Sequence, residues 1–175
     1  KQAKSLKSYK IPKLTELILR DKLLSDINRW YRPDAVYLDG APLLNMTAWA
    51  VLYKEQFFNR ETCKKIIDAL TGVSIKKRDP IFKQFPELKT LRKIGNLHKP
   101  DVMIFLDVPA EVCISRIESR GEDKQVHETT EKLTRLRDAY LLICDVLAEQ
   151  AHIIDGNRPL VDVVADATKV VRNEN

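Results

Sequence analysis

Among the features of this sequence, a run of five consecutive apolar residues constrains the fold most. They occupy positions 102–106, and the sequence Asp107-Val108-Pro109 ends the run. A short, continuous apolar run predicts a strand that is covered on both faces, as in a parallel sheet. Helical spacing of apolar residues begins at Pro109, and Gly121 marks the end of that helix.

Two further short segments are predicted as strands. Residues 35–38 form a nearly continuous apolar run that ends at Asp39, and residues 152–155 form a third short strand that ends in Asp155. Strands that alternate with helices are typical of an open parallel sheet, so we expect an α/β fold. The predicted helices cover residues 12–31, 43–58, 61–70, 87–94, 109–121, a long stretch through 133–147, and 160–171.

Composition narrows the classes of protein that this chain can represent. Its 175 residues suit one domain, and no apolar run is long enough to cross a membrane. The three cysteines are far apart, which excludes a CxxC metal site and predicts a reducing compartment. The five glycines are too scattered for GxGxxG or GxxxxGK[ST]. The net charge of +5 suits an anionic partner, although many soluble proteins share it.

Three acidic residues end the predicted strands. In open parallel sheets the ligand crevice lies beyond the carboxyl ends of the strands, so Asp39, Asp107 and Asp155 are expected near one crevice. Asp39 suits magnesium binding or acceptance of a substrate proton. It equally suits a helix cap or a turn, and Asp107 is explained more simply as part of a helix entry.

Basic residues cluster where the helix from Pro109 ends. Arg116 and Arg120 are four residues apart and share a helix face, and Lys124 follows on a charged loop. Guanidinium groups at such a place suit phosphoryl transfer, where charge on phosphate oxygens must be neutralised. The interleaved acids make a solvated helix end an equal alternative. The turn at Asn157 and Arg158 either borders a bound base or simply joins strand to helix.

Residues 100–140 resemble the thymidylate kinase and deoxynucleoside kinase group of P-loop kinases. The passage PDVMIFLDVP, followed by Arg116 and by Arg120-Gly121, is similar to the family's strand, helix and arginine-bearing lid. Residues 152–159 resemble the family's last strand and base-bordering loop, and residues 37–39 fall where the family carries its Asp-Arg motif. The resemblance implies one kinase-like domain over 1–175, with a three-layer parallel sheet, helices on both faces and a lid near 116–130.

The resemblance also implies a function. It points to transfer of the γ-phosphoryl group of ATP, with Mg²⁺, to a nucleoside monophosphate or nucleoside. Asp39 would organise magnesium or the acceptor, and Arg116 and Arg120 would close over the phosphates. The ATP-binding residues would be Lys124, Asn157 and Arg158, the last two beside the adenine. We expect a cytoplasmic protein with a nucleotide substrate and no membrane or nucleic-acid partner, and a homodimer is compatible with this interpretation.

Two departures from the family pattern keep other functions open. The family's phosphate loop is missing from these 175 residues, and the chain starts at Lys1, so we expect the natural protein to begin upstream. Gly40 stands where the family has arginine after the strand-tip acid. An inactive binding or scaffold protein with the kinase fold is therefore the first alternative. A nucleic-acid-binding protein, suggested by the charge and by the basic residues 76–78, is the second.

Overall fold

Residues 6–54, 58–121 and 128–173 are described by a computed structural model, in which the chain divides into two compact units, Lys1–Lys99 and Pro100–Asn175. The first unit contains helices α1 (Leu6–Tyr31), α2 (Pro42–Lys54), α3 (Arg60–Leu70), α4 (Ile81–Gln84) and α5 (Glu87–Ile94). The second contains strand β1 (Met103–Asp107), helices α6 (Ala110–Ser119) and α7 (Thr130–Val146), strand β2 (Ala151–Asp155) and helix α8 (Leu160–Asn173).

The first unit is a helical assembly around an apolar core. Helix α3 shows how the sequence produces it, because the Asn59 side chain accepts a hydrogen bond from Thr62 N at 2.9 Å and so caps the helix. One face of α3 is buried, and α2 and α5 both contact this helix. The side chains most completely buried in this unit come from α1, α2, α3 and α4, and they include Leu17, Leu43, Cys63, Ile66 and Ile81.

Helix α1 is longer than the sequence pattern predicts. The prediction placed Pro12 at its first turn, whereas the helix begins at Leu6 and contains Pro12. Pro12 has no N–H to donate, so the helix continues through it with one hydrogen bond fewer. The predicted end at residues 32–34 is confirmed, because α1 stops at Tyr31 and Arg32 adopts a positive φ of 45°.

The predicted strand over residues 35–38 is wrong. The segment has no strand or helix assignment, and the side chains of Val36, Tyr37 and Leu38 are exposed. A strand requires a neighbour that pairs with its N–H and C=O groups. Among the residues that the structure describes, no strand pairs with this segment. Asp39 therefore lies in a turn before α2 rather than at the tip of a strand.

The second unit is built on two parallel strands. Met103 pairs with Ala151 and Asp107 pairs with Asp155, so the acidic ends of both strands lie side by side. Helices α6 and α7 lie between the strands in the chain, as a parallel connection requires. On one face of β1 the ring of Phe105 stacks on that of Tyr140 from α7, with centroids 5.5 Å apart. Helix α8 packs against β2.

The expected α/β class is confirmed in outline. The structure is rich in helices and has a parallel sheet, and the predicted strands at 102–106 and 152–155 lie within one residue of β1 and β2. Within the described ranges the sheet has two strands rather than the three predicted. No helix in the described part of the chain has the length and apolar character needed to cross a membrane.

Candidate active site

The carboxyl ends of β1 and β2 form the centre of the candidate site in the second unit. Gly156, directly after β2, donates its N–H to the carbonyl oxygen of Asp107 at 2.9 Å. A Cβ at Gly156 would lie only 2.7 Å from Cγ2 of Val108, so this position requires glycine for close approach rather than for an unusual φ. The turn after β2 is thus fixed against the end of β1.

The carboxylate of Asp107 forms an ion pair with an arginine of α7. Nε and Nη2 of Arg137 donate to Oδ1 and Oδ2 of Asp107 at 2.6 and 2.8 Å, which is a bidentate ion pair. Hydrogen bonding to Arg137 lowers the pKa of Asp107, and the same contact raises the pKa of Arg137. The pair aligns α7 with the end of β1, one helical turn away from the stacked Tyr140.

Arg116 on α6 reaches the same edge of the sheet. Its Nη1 and Nη2 donate to the carbonyl oxygen of Gly156 at 3.4 and 3.3 Å. The residue is exposed, so its guanidinium group lies at the surface beside the turn that carries Asn157. The structure therefore brings together Arg116 and the predicted base-bordering turn.

Arg120 follows α6 and is bound to a carboxylate that the sequence interpretation did not select. Its Nη2 donates to Oε1 of Glu128 at 2.8 Å. Gly121 adopts a φ of 71°, which is the left-handed residue expected after a helix and confirms the predicted helix end. Lys124, the third predicted basic residue, lies outside the described residues.

Asn157 and Arg158 lie in the turn after β2, as predicted. The N–H of Asn157 donates to Oδ1 of Asp155 at 2.9 Å, which is an Asx turn. Arg158 donates through Nη2 to Oδ2 of Asp166 on α8 at 2.7 Å. This contact raises the pKa of Arg158 and lowers that of Asp166. Arg158 is thereby attached to α8, while Asn157 is exposed.

Asp39 belongs to the first unit. Its carbonyl oxygen accepts a hydrogen bond from Nη2 of Arg20 at 2.6 Å, and the residue is exposed. Gly40 has a φ of +72°, and a Cβ there would lie 2.8 Å from Nδ2 of Asn45. A side chain at position 40 would therefore be strained, so this turn favours glycine.

The family resemblance implies that Asp39 binds magnesium. Mg²⁺ is usually held by one or two carboxylates together with substrate phosphates, so a single exposed carboxylate fits that mode of binding. In the described ranges, no group of three or more His, Cys, Asp or Glu residues is arranged as a metal site. The chain's own side chains there do not form a closed metal cage.

Two functional candidates, Arg137 and Glu128, were missed by the sequence interpretation. Arg137 and Tyr140 are three residues apart on α7, and both contact the same face of β1. That spacing, opposite a strand that ends in an acid, is the signal that would have selected Arg137. Glu128 carries no comparable signal in the sequence, because its burial depends on packing.

Comparison with known proteins finds similarity to thymidylate kinases in the part of the chain that contains the second-unit site. The family model described as thymidylate kinase matches residues 86–167. The thymidylate kinase of Methylobacillus flagellatus is 32% identical over 75 residues, which cover 42% of this chain and 37% of the relative. That of Neisseria meningitidis serogroup B is 36% identical over 74 residues, covering 42% of this chain and 36% of the relative.

A third curated thymidylate kinase, from Latilactobacillus sakei, is 30% identical over 79 residues, or 43% of this chain and 37% of the relative. The chain therefore spans just over a third of the length of the curated relatives that it matches. No solved structure matches the chain. Residues 86–167, which include both strands and every arginine of the second-unit site, are thus the part of the chain that is similar to thymidylate kinases.

Proposed function

We propose that this chain is part of an ATP-dependent kinase that phosphorylates a nucleoside monophosphate or nucleoside. The observation that carries the proposal is the thymidylate kinase match over residues 86–167, which covers the paired strand ends, Arg116 and the turn at Asn157. Phosphoryl transfer needs positioning and charge neutralisation more than covalent chemistry from the protein. Arg116, which is hydrogen-bonded to the turn at the end of β2, is suited to that task.

Each predicted site residue has a role in this proposal. Arg116 and Arg120 would neutralise the transferring phosphates, and Asn157 would border the adenine together with the apolar stem of Arg158. Lys124 remains a further candidate for ATP binding. Asp39 would hold Mg²⁺ or the acceptor, and the ion would supply charge neutralisation between the phosphates. We further propose that residues 1–175 belong to one cytoplasmic kinase-like domain of three layers, with a lid near 116–130, and that it acts as a homodimer.

The proposal is tested by turnover in the natural full-length protein. A coupled assay would measure ADP release with ATP, Mg²⁺ and a panel of nucleosides and nucleoside monophosphates. We expect turnover with at least one pyrimidine monophosphate. Arg116→Gln should lower kcat/KM at least tenfold, on the scale of about 1.4 kcal/mol of transition-state stabilisation.

The matched control for this test is Arg135→Gln. Arg135 also carries one positive charge, and on α7 it is paired with Glu131 at 2.7 Å, whereas Arg116 is bonded to the carbonyl oxygen of Gly156. Its substitution should leave kcat/KM within about twofold of the original. Equal losses in both variants would mean that general charge, rather than Arg116 itself, supports turnover.

A second candidate function, an inactive binding protein with the kinase fold, is favoured by Gly40. Glycine readily adopts the φ of +72° at this position and arginine rarely does, which supports the departure from the arginine that the resemblance implies there. A binding protein would take up ATP or a nucleotide without turnover. Calorimetric titration with ATP and Mg²⁺, run beside the coupled assay, separates the two functions, since heat of binding without ADP release identifies the inactive one.

A further inference from the structure

Glu128 is a buried carboxylate beside the candidate phosphate-binding arginine Arg120. It precedes the N-cap of α7, where the Thr129 side chain accepts from Lys132 N. Glu128 is 7% exposed, and its Oε1 lies 2.8 Å from Nη2 of Arg120. The Arg120 side chain is itself 47% exposed. In this ion pair the carboxylate is therefore buried, whereas the arginine side chain is about half exposed to solvent.

This asymmetry determines what each partner can do. A carboxylate removed from water must be paired and hydrogen-bonded, and Arg120 supplies one charged partner for Glu128. A guanidinium group has five N–H donors in a planar fork, and Arg120 uses Nη2 in its ion pair with Glu128. The half-exposed arginine can thus bind Glu128 through one edge and an anion through another. Glu128 does not have to be displaced when a phosphate arrives.

The pair also connects two elements. Arg120 is the C-cap of α6, and Glu128 stands at the start of α7. A long arginine side chain at a helix end has many rotamers, and fixing it in advance removes an entropy cost from the transition state. The direction of the guanidinium group is then set by a carboxylate buried at the start of the neighbouring helix, rather than by the flexible stem of Arg120.

We propose that Glu128 is a positioning residue for phosphoryl transfer, which holds the Arg120 guanidinium group in the orientation that meets the transferring phosphate. This inference rests on the proposed kinase function. Glu128 acts through Arg120 and does not touch the substrate. Its contribution belongs to the transition state, so it affects kcat more than the KM for ATP.

The experiment compares three substitutions at position 128 in the full-length protein. Glu128→Gln keeps an oxygen acceptor at the same reach, and kcat should stay within about threefold of the original. Glu128→Ala removes the acceptor, and kcat should fall at least tenfold while the KM for ATP changes less than about twofold. Glu128→Asp keeps the charge but withdraws the carboxylate by one methylene, so it should lower kcat as well. This variant replaces the alanine variant if the latter does not fold.

The matched control is Glu131→Ala. Glu131 is a glutamate on the first turn of the same helix, it pairs with Arg135, and its side chain is 71% exposed. Its removal should leave kcat and KM unchanged. Melting temperatures of all variants, measured in parallel, show whether a loss of kcat merely follows a loss of folded protein.

Three results would overturn the inference. The first is an unchanged kcat in folded Glu128→Ala. The second is a kcat in Glu128→Gln as low as in Glu128→Ala, since rescue by the conservative variant is then missing. The third is a loss of kcat that disappears when the assay is run well below the melting temperature of each variant. Absence of turnover in the unmodified protein is a different outcome, because it refutes the proposed kinase function and this inference with it.

Discussion

At the scale of single residues, the ion pair between Asp107 and Arg137 connects helix α7 directly to the strand end at the candidate site. The acid that ends β1 does not cap the following helix, since Pro109 occupies the cap position without a side-chain hydrogen bond. Asp107 instead anchors α7 through two short hydrogen bonds. The sequence interpretation placed Asp107 at a strand end and favoured a helix entry for it. It did not find Arg137, because the two residues are far apart in the chain and only folding brings them together.

The pKa of Asp107 gives a pH-dependent prediction. Because Arg137 lowers the pKa of this carboxyl group in the folded state, the stabilisation is present above the unfolded pKa of about 4 and is lost as pH falls through the folded-state pKa. Asp107→Asn should lower the free energy of unfolding by about 1.5–3 kcal/mol at pH 7, the usual range for hydrogen bonds to charged groups.

Urea unfolding at several pH values measures this effect. The difference between the original protein and Asp107→Asn should stay constant between pH 6 and 8, which are about two or more units above the ordinary carboxyl pKa. It should shrink below about pH 4. The exposed Asp34→Asn, with an expected effect within about 0.5 kcal/mol, is the control. A difference that grows as the pH falls would contradict the ion-pair interpretation.

At the scale of elements, the strands show what local sequence can and cannot predict. Residues 102–106 and 35–38 have the same pattern, a short apolar run followed by an acid. Only the first is a strand, because β2 lies beside it and pairs with it. Pairing is a non-local property, and no periodicity within four residues records whether a partner is available. Helices were predicted more successfully, since their hydrogen bonds and caps are local, as at Asn59 and Gly121.

The candidate site follows the same division. The positions of Arg116, Asn157 and Arg158 beside the strand ends followed from the order of strand, turn and helix in the sequence. The partners of Arg116, Arg120 and Arg158 did not, because packing selects Gly156 O, Glu128 and Asp166 respectively. Short helix α4 was also not predicted, because its four residues, between the prolines at 80 and 86, are too few to show a helical spacing of apolar residues.

Helix α1 offers a matched pair of leucines for testing the core of the first unit. Leu17 is fully buried, whereas Leu19 is 63% exposed on the same helix. Leu17→Ala removes buried methyl groups and leaves a cavity, so the free energy of unfolding should fall by about 2–5 kcal/mol. Leu19→Ala should change it by less than about 0.5 kcal/mol. Urea unfolding followed by circular dichroism measures both, and similar effects at the two positions would refute the described orientation of α1.

At the scale of the whole molecule, each compact unit depends on its own set of contacts. The first is held by helix packing around Leu17, Leu43 and Ile66, and the second by the pairing of β1 with β2. Met103 N, for example, donates to the carbonyl oxygen of Gln150 at 2.7 Å, just before β2 begins. Loss of β2 should therefore affect the second unit far more than the first.

A truncated chain that ends at Gln150 tests this division. Hydrogen exchange should show that the amides of β1 lose their protection, because the strand has then lost the partner with which it pairs in the described structure. The amides of α3 should remain protected by the helix and its buried face. Equal loss of protection in β1 and α3 would contradict this expectation.

The parallel arrangement of β1 and β2 has a consequence for the order in which the second unit assembles. The paired residues are separated in the chain by both α6 and α7, so the sheet cannot form until a long loop has closed. During synthesis, β1 leaves the ribosome before residues 151–155, so its pairing with β2 cannot form until those residues follow. Refolding of this unit should accordingly be limited by late strand docking, after the two helices have already formed.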